Sequence, residues 1–211
     1  MADTRQRIVT ATAELLRQRG YRATSLKDIT AAAPATVGSV YHFFPGGKAE
    51  LVRTAIVEMS FAYEQLFELV AGEAKDPADA FPHFFAAAAD ALEDTGYLDL
   101  CPIGTIVAEV AGTDEVLRAT TADAFDRWTV AVAATLVRGG IAPDDAPALA
   151  STIIATLEGS FILARARRDA EPVRAAGRHV RALLESFVAG RGPRSVARSG
   201  LKTNPNLRQN A

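Results

Sequence analysis

The stretch TSLKDITAAAPATVGSVYHFFPGGK, residues 24–48, decides the reading of the chain. Ser25 stands where a helix begins, and Asp28 three residues on has the spacing of a capping box, with Asp replacing the longer Glu usually found there. Leu26, Ile29, Ala32 and Ala33 are expected to face inward. Pro34 ends the helix, because its ring removes an amide donor and disfavours helical backbone at Ala33. Two residues later Thr36 can cap a second short helix, Val37 to about Phe43, which Pro45-Gly46-Gly47 terminates. A helix under two turns long does not hold in water by itself. Val40, Phe43 and Phe44 therefore have to pack it against its neighbours, leaving Thr36, Gly38, Ser39, Tyr41 and His42 outward. Two short helices joined by a tight turn make a helix-turn-helix, here about residues 25–44. A small, polar outward face of this kind can enter the major groove of DNA.

Outward from that stretch, residues 4–19 place Ile8, Ala11 and Leu15, and Val9, Ala13 and Leu16, on one broad face of an amphipathic helix. Gly20 then sits where a left-handed residue would end it. On the other side, Lys48 opens the next helix, where a cation opposes the positive end of the helix dipole. Either a phosphate sits there, bound by the amides of Gly47, Lys48 and Ala49 together with the ammonium, or Lys48 is solvated at a cost of about a few tenths of a kcal/mol. The rest reads as long helices at about 48–72, 77–95, 103–111, 114–139, 144–169 and 171–190, broken by Pro and Gly signals. Residues 191–211, rich in Gly, Pro, Ser, Asn and Arg, read as a disordered basic tail.

Composition agrees with an all-α fold. Of 211 residues 49% are hydrophobic, enough for a buried core, and alanine, the best helix former, dominates that fraction. No run alternates apolar and polar residues as a strand would. No uncharged apolar stretch of 18 residues suggests a membrane span, and the first residues lack the apolar core of a signal peptide. A single cysteine, Cys101, allows neither an intrachain disulfide nor a thiolate metal cluster, so a cytoplasmic protein without metal or cofactor is expected. The net charge of −2 hides an asymmetry. Residues 1–50 carry seven Lys/Arg against four acids, residues 51–190 eleven against twenty-one, and residues 191–211 five against none. Basic ends on an acidic body suggest a polyanion partner.

Segment 4–50 closely resembles the TetR family of repressors. The resemblance runs through Gly20-Tyr21, Ala23-Thr24-Ser25, Asp28-Ile29, Ala31-Ala32-Ala33, Gly38-Ser39-Val40-Tyr41-His42-Phe43-Phe44 and Pro45-Gly46-Gly47-Lys48-Ala49-Glu50-Leu51. The remainder resembles the LmrA/YxaF-like branch at Cys101-Pro102-Ile103-Gly104, Ala124-Phe125 with Trp128, Leu157-Glu158-Gly159, and Ala164-Arg165-Ala166-Arg167-Arg168-Asp169. Many family members have Gly-Val-Ser in the turn, where this chain has Pro34-Ala35-Thr36, and a basic residue is frequent where Val37 stands.

The resemblance implies an N-terminal DNA-binding domain, residues 1–47, and a helical ligand-binding and dimerisation domain, residues 48–190. It implies phosphate contacts from Ser25 and Lys27, approach to base edges by Thr36, Val37, Gly38 and Ser39, and backbone contacts from Tyr41, His42 and Lys48. It places an inducer pocket between the helices starting near 48, 77, 103 and 114. There Phe85, Tyr97, Phe125 and Trp128 are expected to line an apolar cavity, against the alternative that the stripe of Phe125, Trp128, Val132 and Leu136 is ordinary core. Ile153, Leu157 and Phe161, followed by Val173, Val180, Leu184 and Phe187, are expected to build a four-helix homodimer interface. The implied function is a repressor that binds a double-stranded operator as a dimer and is released by a small hydrophobic inducer. An activator on the same fold, or a helical interaction module without DNA binding, remains the alternative. An enzyme is not expected, since His42, His83, His179 and Cys101 are scattered and form no known catalytic or zinc spacing. His83 is expected to be a buried, satisfied histidine or a polar ligand contact. Cys101 either packs or acts as a redox switch.

Overall fold

The computed structural model describes residues 4–74, 76–98 and 101–189, without the side chain of residue 77. Nine α-helices run through these residues: α1 (Thr4–Arg19), α2 (Leu26–Ala32), α3 (Val37–Phe43), α4 (Gly47–Glu73), α5 (Ala80–Asp94), α6 (Pro102–Val110), α7 (Glu115–Arg138), α8 (Ala146–Arg167) and α9 (Glu171–Val188). Among the described residues there is no strand. The disordered tail expected at 191–211 lies outside them.

Local chemistry sets the ends of the first helices. Gly20, at φ 76°, takes the left-handed backbone that closes α1, and its amide donates to Leu16 O at 3.0 Å. α2 is only seven residues long, and both hydrogen bonds of its capping box are made: Ser25 accepts the Asp28 amide while Asp28 accepts the Ser25 amide. Its inward face runs Leu26, Ile29, Thr30 and Ala33, spaced three, four and seven residues from Leu26. Ala32, expected inside, falls off that face and is exposed; buried Thr30 stands nearer the core and returns its hydroxyl to Lys27 O. The helix expected from residue 77 opens instead with a 3-10 turn, Pro77–Asp79, because the Asp76 carboxylate accepts the Ala78 amide at 2.9 Å and holds that tighter winding.

Two cores share α4, a rod of 27 residues and roughly 40 Å. Its first half gives Leu51, Val52, Ala55 and Ile56 to a core with Ile8 and Leu16 of α1, Ile29, Val40, Phe44, and Ile103, Ile106 and Leu117 from α6 and α7. Its second half gives Phe67 and Ala71 to a core with Phe81, Phe85, Val132, Ile153, Val173, Val180 and Leu184. The short helices are thus packed through α4 onto α6 and α7 without a seam.

The last two helices correct an expectation about their faces. Val173, Val180 and Leu184 of α9 are buried within the subunit, α9 packing along α5 and α8, so they are not available to a second copy. Ile153 of α8 is likewise buried, and partly buried Leu157 and Phe161, with Phe187 of α9, pack on the same core. Helical spacing identifies an apolar face without saying what it packs against. The outward side of α8 instead shows Ala155, Gly159, Ile162 and Leu163, the last two 65% and 50% exposed. By length and composition α8 is apolar enough to cross a membrane, and here it is a cavity-lining helix.

Candidate nucleic-acid interface and apolar cavity

The outward face of α3 is built by one cap and one buried anchor. Thr36 has extended backbone, φ −106° and ψ 158°, and its hydroxyl accepts the Ser39 amide at 3.0 Å. Val40, at 0% exposure, fixes the opposite side in the core, as does Phe44 just beyond the helix, while Phe43 is partly buried beside them. Val37, Gly38, Tyr41 and His42 are consequently exposed and Ser39 half-buried. Ser25 and Lys27 stand exposed at the start of α2, which packs against α3. Tyr41 leans over the first turn of α4: a Cβ at residue 47 would lie 3.2 Å from its Cε1, and Gly47 has φ 68°. No side chain other than hydrogen fits there without strain.

Lys48 does not project freely. Its ammonium donates to Tyr21 O at 2.7 Å and lies 4.1 Å from the centre of the Tyr21 ring. Partial burial lowers its pKa, Glu109 acting the other way. The lysine expected at the start of α4 therefore also ties α4 to the end of α1. Beside it Glu109 of α6 accepts the Arg22 amide at 2.7 Å and lies against Gly20, while the Arg22 guanidinium donates to Glu109 O at 3.2 Å. The C-terminal turn of α6 is thereby fastened to the loop between α1 and α2.

A cavity of about 470 Å3 opens between α4, α5, α7 and α8, within the size range of small-molecule sites. Tyr63 and Phe67 of α4, Phe81, Phe84 and Phe85 of α5, Trp128 of α7 and Phe161 of α8 give it an aromatic wall. Phe67 meets Phe84 edge-on at 5.5 Å between centroids, and Tyr63 meets Trp128 at 5.9 Å. The indole Nε1 donates to Ser60 O at 2.9 Å, which fixes the ring while leaving its face to the cavity. α9 packs closely behind Phe85: a Cβ at Gly177 would fall 2.7 Å from Phe85 Cβ.

One corner is polar. Cys101, the N-cap of α6, and Glu158 of α8 face each other there, with Arg17 of α1 and Glu64 also in the lining. Burial raises the Glu158 pKa above its ordinary 4.5, the hydrogen bond with Cys101 opposing the rise. Burial, reinforced by the neighbouring Glu158, pushes the Cys101 thiol well above its ordinary range. That disfavours the thiolate on which a reactive redox cysteine depends. The Glu158 carboxyl lies where a side chain at Gly104 would stand, so α6 begins directly beneath it. α6 thus has its first turn at the cavity and its last on the loop before α2.

Of the four side chains expected in the cavity, Phe85 and Trp128 are there, while Phe125 and Tyr97 are not. Phe125 packs edge-on behind Trp128, 5.5 Å between centroids, toward the first core. Tyr97, at φ 64° in the turn after α5, packs partly buried on the second core. The cavity borders α8 where α6 had been expected; α6 contributes only its cap, Cys101. The clue overlooked was Ile153, Leu157, Glu158 and Phe161, a stripe at helical spacing that carries one carboxyl among apolar groups. His83 is exposed and outside the cavity lining, contrary to expectation, because its neighbours Phe81 and Phe85 occupy the buried face of α5. Among the described residues no group of three or more His, Cys, Asp or Glu side chains could hold a metal ion.

Comparison with known proteins follows the same division. Residues 8–55 match the family model described as bacterial regulatory proteins, tetR family, and residues 77–179 match the model for the C-terminal domain of LmrA/YxaF-like transcriptional regulators. An uncharacterized HTH-type transcriptional regulator of Mycobacterium tuberculosis is 33% identical over 189 residues, 87% of this chain and 95% of that protein. The uncharacterized HTH-type transcriptional regulator YxaF of Bacillus subtilis is 31% identical over 171 residues, 81% of this chain and 90% of its own. Among solved structures, a TetR transcriptional regulator from Chloroflexus aurantiacus superposes with a TM-score of 0.73 at 28% identity, covering 86% of this chain and 94% of that one.

Proposed function

The chain belongs to the TetR family and is a DNA-binding transcriptional regulator; on that footing we propose that it is a repressor, which binds its operator as a homodimer and is released by a small apolar ligand. The observation that carries the reading is the exposed face of α3, held outward by the Thr36 cap and the buried Val40 anchor. In this reading residues 1–47 are the DNA-reading head and 48–190 the body. Ser25 and Lys27 contact phosphates, Thr36, Val37, Gly38 and Ser39 approach base edges, and Tyr41, His42 and Lys48 hold the backbone. The N–H groups of Lys48 not given to Tyr21 O remain for a phosphate oxygen. Such a protein works in the cytoplasm, where the chromosome lies.

Dimerisation has a geometric purpose, since two recognition helices must meet successive major grooves about 34–36 Å apart. The outward side of α8, with Ala155, Gly159, Ile162 and Leu163, supports the pairing, small residues allowing helices to approach closely. The cavity supports ligand control. A ligand that fits better when the heads are mis-spaced weakens DNA binding by linkage, typically by about 1–3 kcal/mol. α6 lies between the two sites, with Cys101 at the cavity and Glu109 on the Gly20–Arg22 loop.

The test is a mobility-shift assay with the DNA upstream of the protein's own gene, with and without competitor, across a salt titration. Retention of that DNA in preference to competitor is expected. Lys48→Ala should weaken operator and random DNA alike and reduce the slope of log affinity against log salt by about one. An unchanged slope removes Lys48 from the interface, and no preference for any upstream sequence removes the regulatory reading. Quenching of Trp128, the single tryptophan, reports ligands that enter the cavity.

A further inference from the structure

α3 contains no Arg, Lys, Asn or Gln, the side chains that read guanine and adenine through paired hydrogen bonds. The two hydroxyls at its start bond to each other, which leaves one O–H donor between them. Thr36 Oγ1 and Ser39 Oγ lie 2.9 Å apart, and the Ser39 amide donates to Thr36 Oγ1 at 3.0 Å. The Tyr41 ring leans on the first turn of α4 at Gly47, and exposed His42, edge-on to Phe43, stands at the far end of the helix. At the tip of the outward face is Val37, 44% exposed, next to Gly38. A Cβ at Gly38 would meet only Thr36 Oγ1, at 3.6 Å, so the glycine opens space beside Val37 without serving any packing inside the protein. Val37 and Tyr41 are four residues apart and share one side of the helix. The side presented to a partner is therefore an aliphatic group beside a gap, flanked by the Tyr41 ring.

The floor of the major groove has one apolar feature, the C5-methyl of thymine. We infer that Val37 is a specificity-determining residue that reads thymine through that methyl group, Gly38 permitting the close approach. This rests on the reading of α3 as the helix in the groove and adds to it the base and the kind of contact. A basic side chain at this position would add attraction to phosphates or to guanine. Valine adds neither, and it gains from the groove only where a methyl meets it. The operator's half-sites accordingly contain a thymine under residue 37, at a position where cytosine, lacking the methyl, binds less well.

The experiment uses the full chain. Duplexes are selected from a random pool, and the thymines of the selected site are replaced one at a time by uracil, which keeps every hydrogen-bonding group of thymine and removes only the methyl. One position per half-site is expected to lose about fourfold in affinity, and about fifteenfold when both half-sites are changed, the size expected for one buried methyl at each. In Val37→Ser, which puts a hydroxyl in place of the methyl groups, that penalty should disappear, while an unchanged urea midpoint shows that the variant is folded. Val37→Ile, which keeps an aliphatic contact, should retain the penalty. Specific binding with no uracil penalty overturns the inference and leaves the regulator reading intact, as does a penalty that persists in Val37→Ser. Failure to select any sequence removes both.

Discussion

The head and the cavity are built on opposite principles. In the head, α2 and α3 have seven residues each, and their positions follow from neighbours close in sequence: Ser25 with Asp28, Thr36 with Ser39, Gly20 at the end of α1. The cavity lies between four helices, with lining residues drawn from 17 to 161, and no short segment of the chain describes it. In the head large side chains fill the space between helices, Phe44 and Val40 being almost fully covered. In the cavity seven aromatic rings surround a space left open. Surface chemistry made from caps is legible locally, whereas a void is a property of packing at a distance.

That contrast can be broken or sharpened by substitution. The largest effect is expected at Phe44→Ala, where a filled core loses a ring: about 3–5 kcal/mol of stability, read as a shift of the urea midpoint. Phe161→Ala, on the cavity wall, should cost less, about 1–2 kcal/mol, because that ring is only partly buried and already borders a void. Equal losses at the two positions would mean that the cavity is closed in solution. Ser25→Ala removes one cap of α2 and should cost about 1 kcal/mol, with a matching loss of DNA affinity if the head is the part that loosens.

The smallest effect is a dependence on pH. A carboxyl whose folded pKa is raised holds its proton more tightly in the folded state, so its contribution to stability is complete at low pH and falls away as pH rises from the ordinary 4.5 through the folded value. Glu158→Gln carries no such charge. The variant should match the parent in acid and gain on it toward neutral pH, measured by urea unfolding at several pH values. A parent that gains on the variant toward neutral pH would show that Glu158 is held as a stabilised carboxylate.

How much the sequence shows follows from the same distinction. The helix-turn-helix was readable because caps, turns and a stopping proline act over three or four residues, and the family resemblance pointed the same way. Even there Ala32 was misplaced, since a seven-residue helix leaves little periodicity from which to fix its rotation. The body's helices were visible from Pro and Gly breaks and apolar spacing, but their partners were not. Val173, Val180 and Leu184 make a regular stripe that fits a subunit interface and an internal packing face equally well. Phe125 and Trp128 lie three residues apart on α7, yet one lines the cavity and the other sits behind it. Glu158 stood out least, because a single carboxyl on an apolar helix acquires meaning only when Cys101 and Gly104 are brought beneath it.

Gly177 of α9 does not line the cavity, yet it lies directly behind a helix that does. Because Gly177 has no side chain, α9 can lie directly on α5: a Cβ there would fall 2.7 Å from Phe85 Cβ and 3.4 Å from Pro82 Cα, atoms that no turn of a side chain can move aside. A single added methyl would therefore lever the two helices apart. The spacing of an entire wall is thus held by a hydrogen atom outside the chamber it encloses.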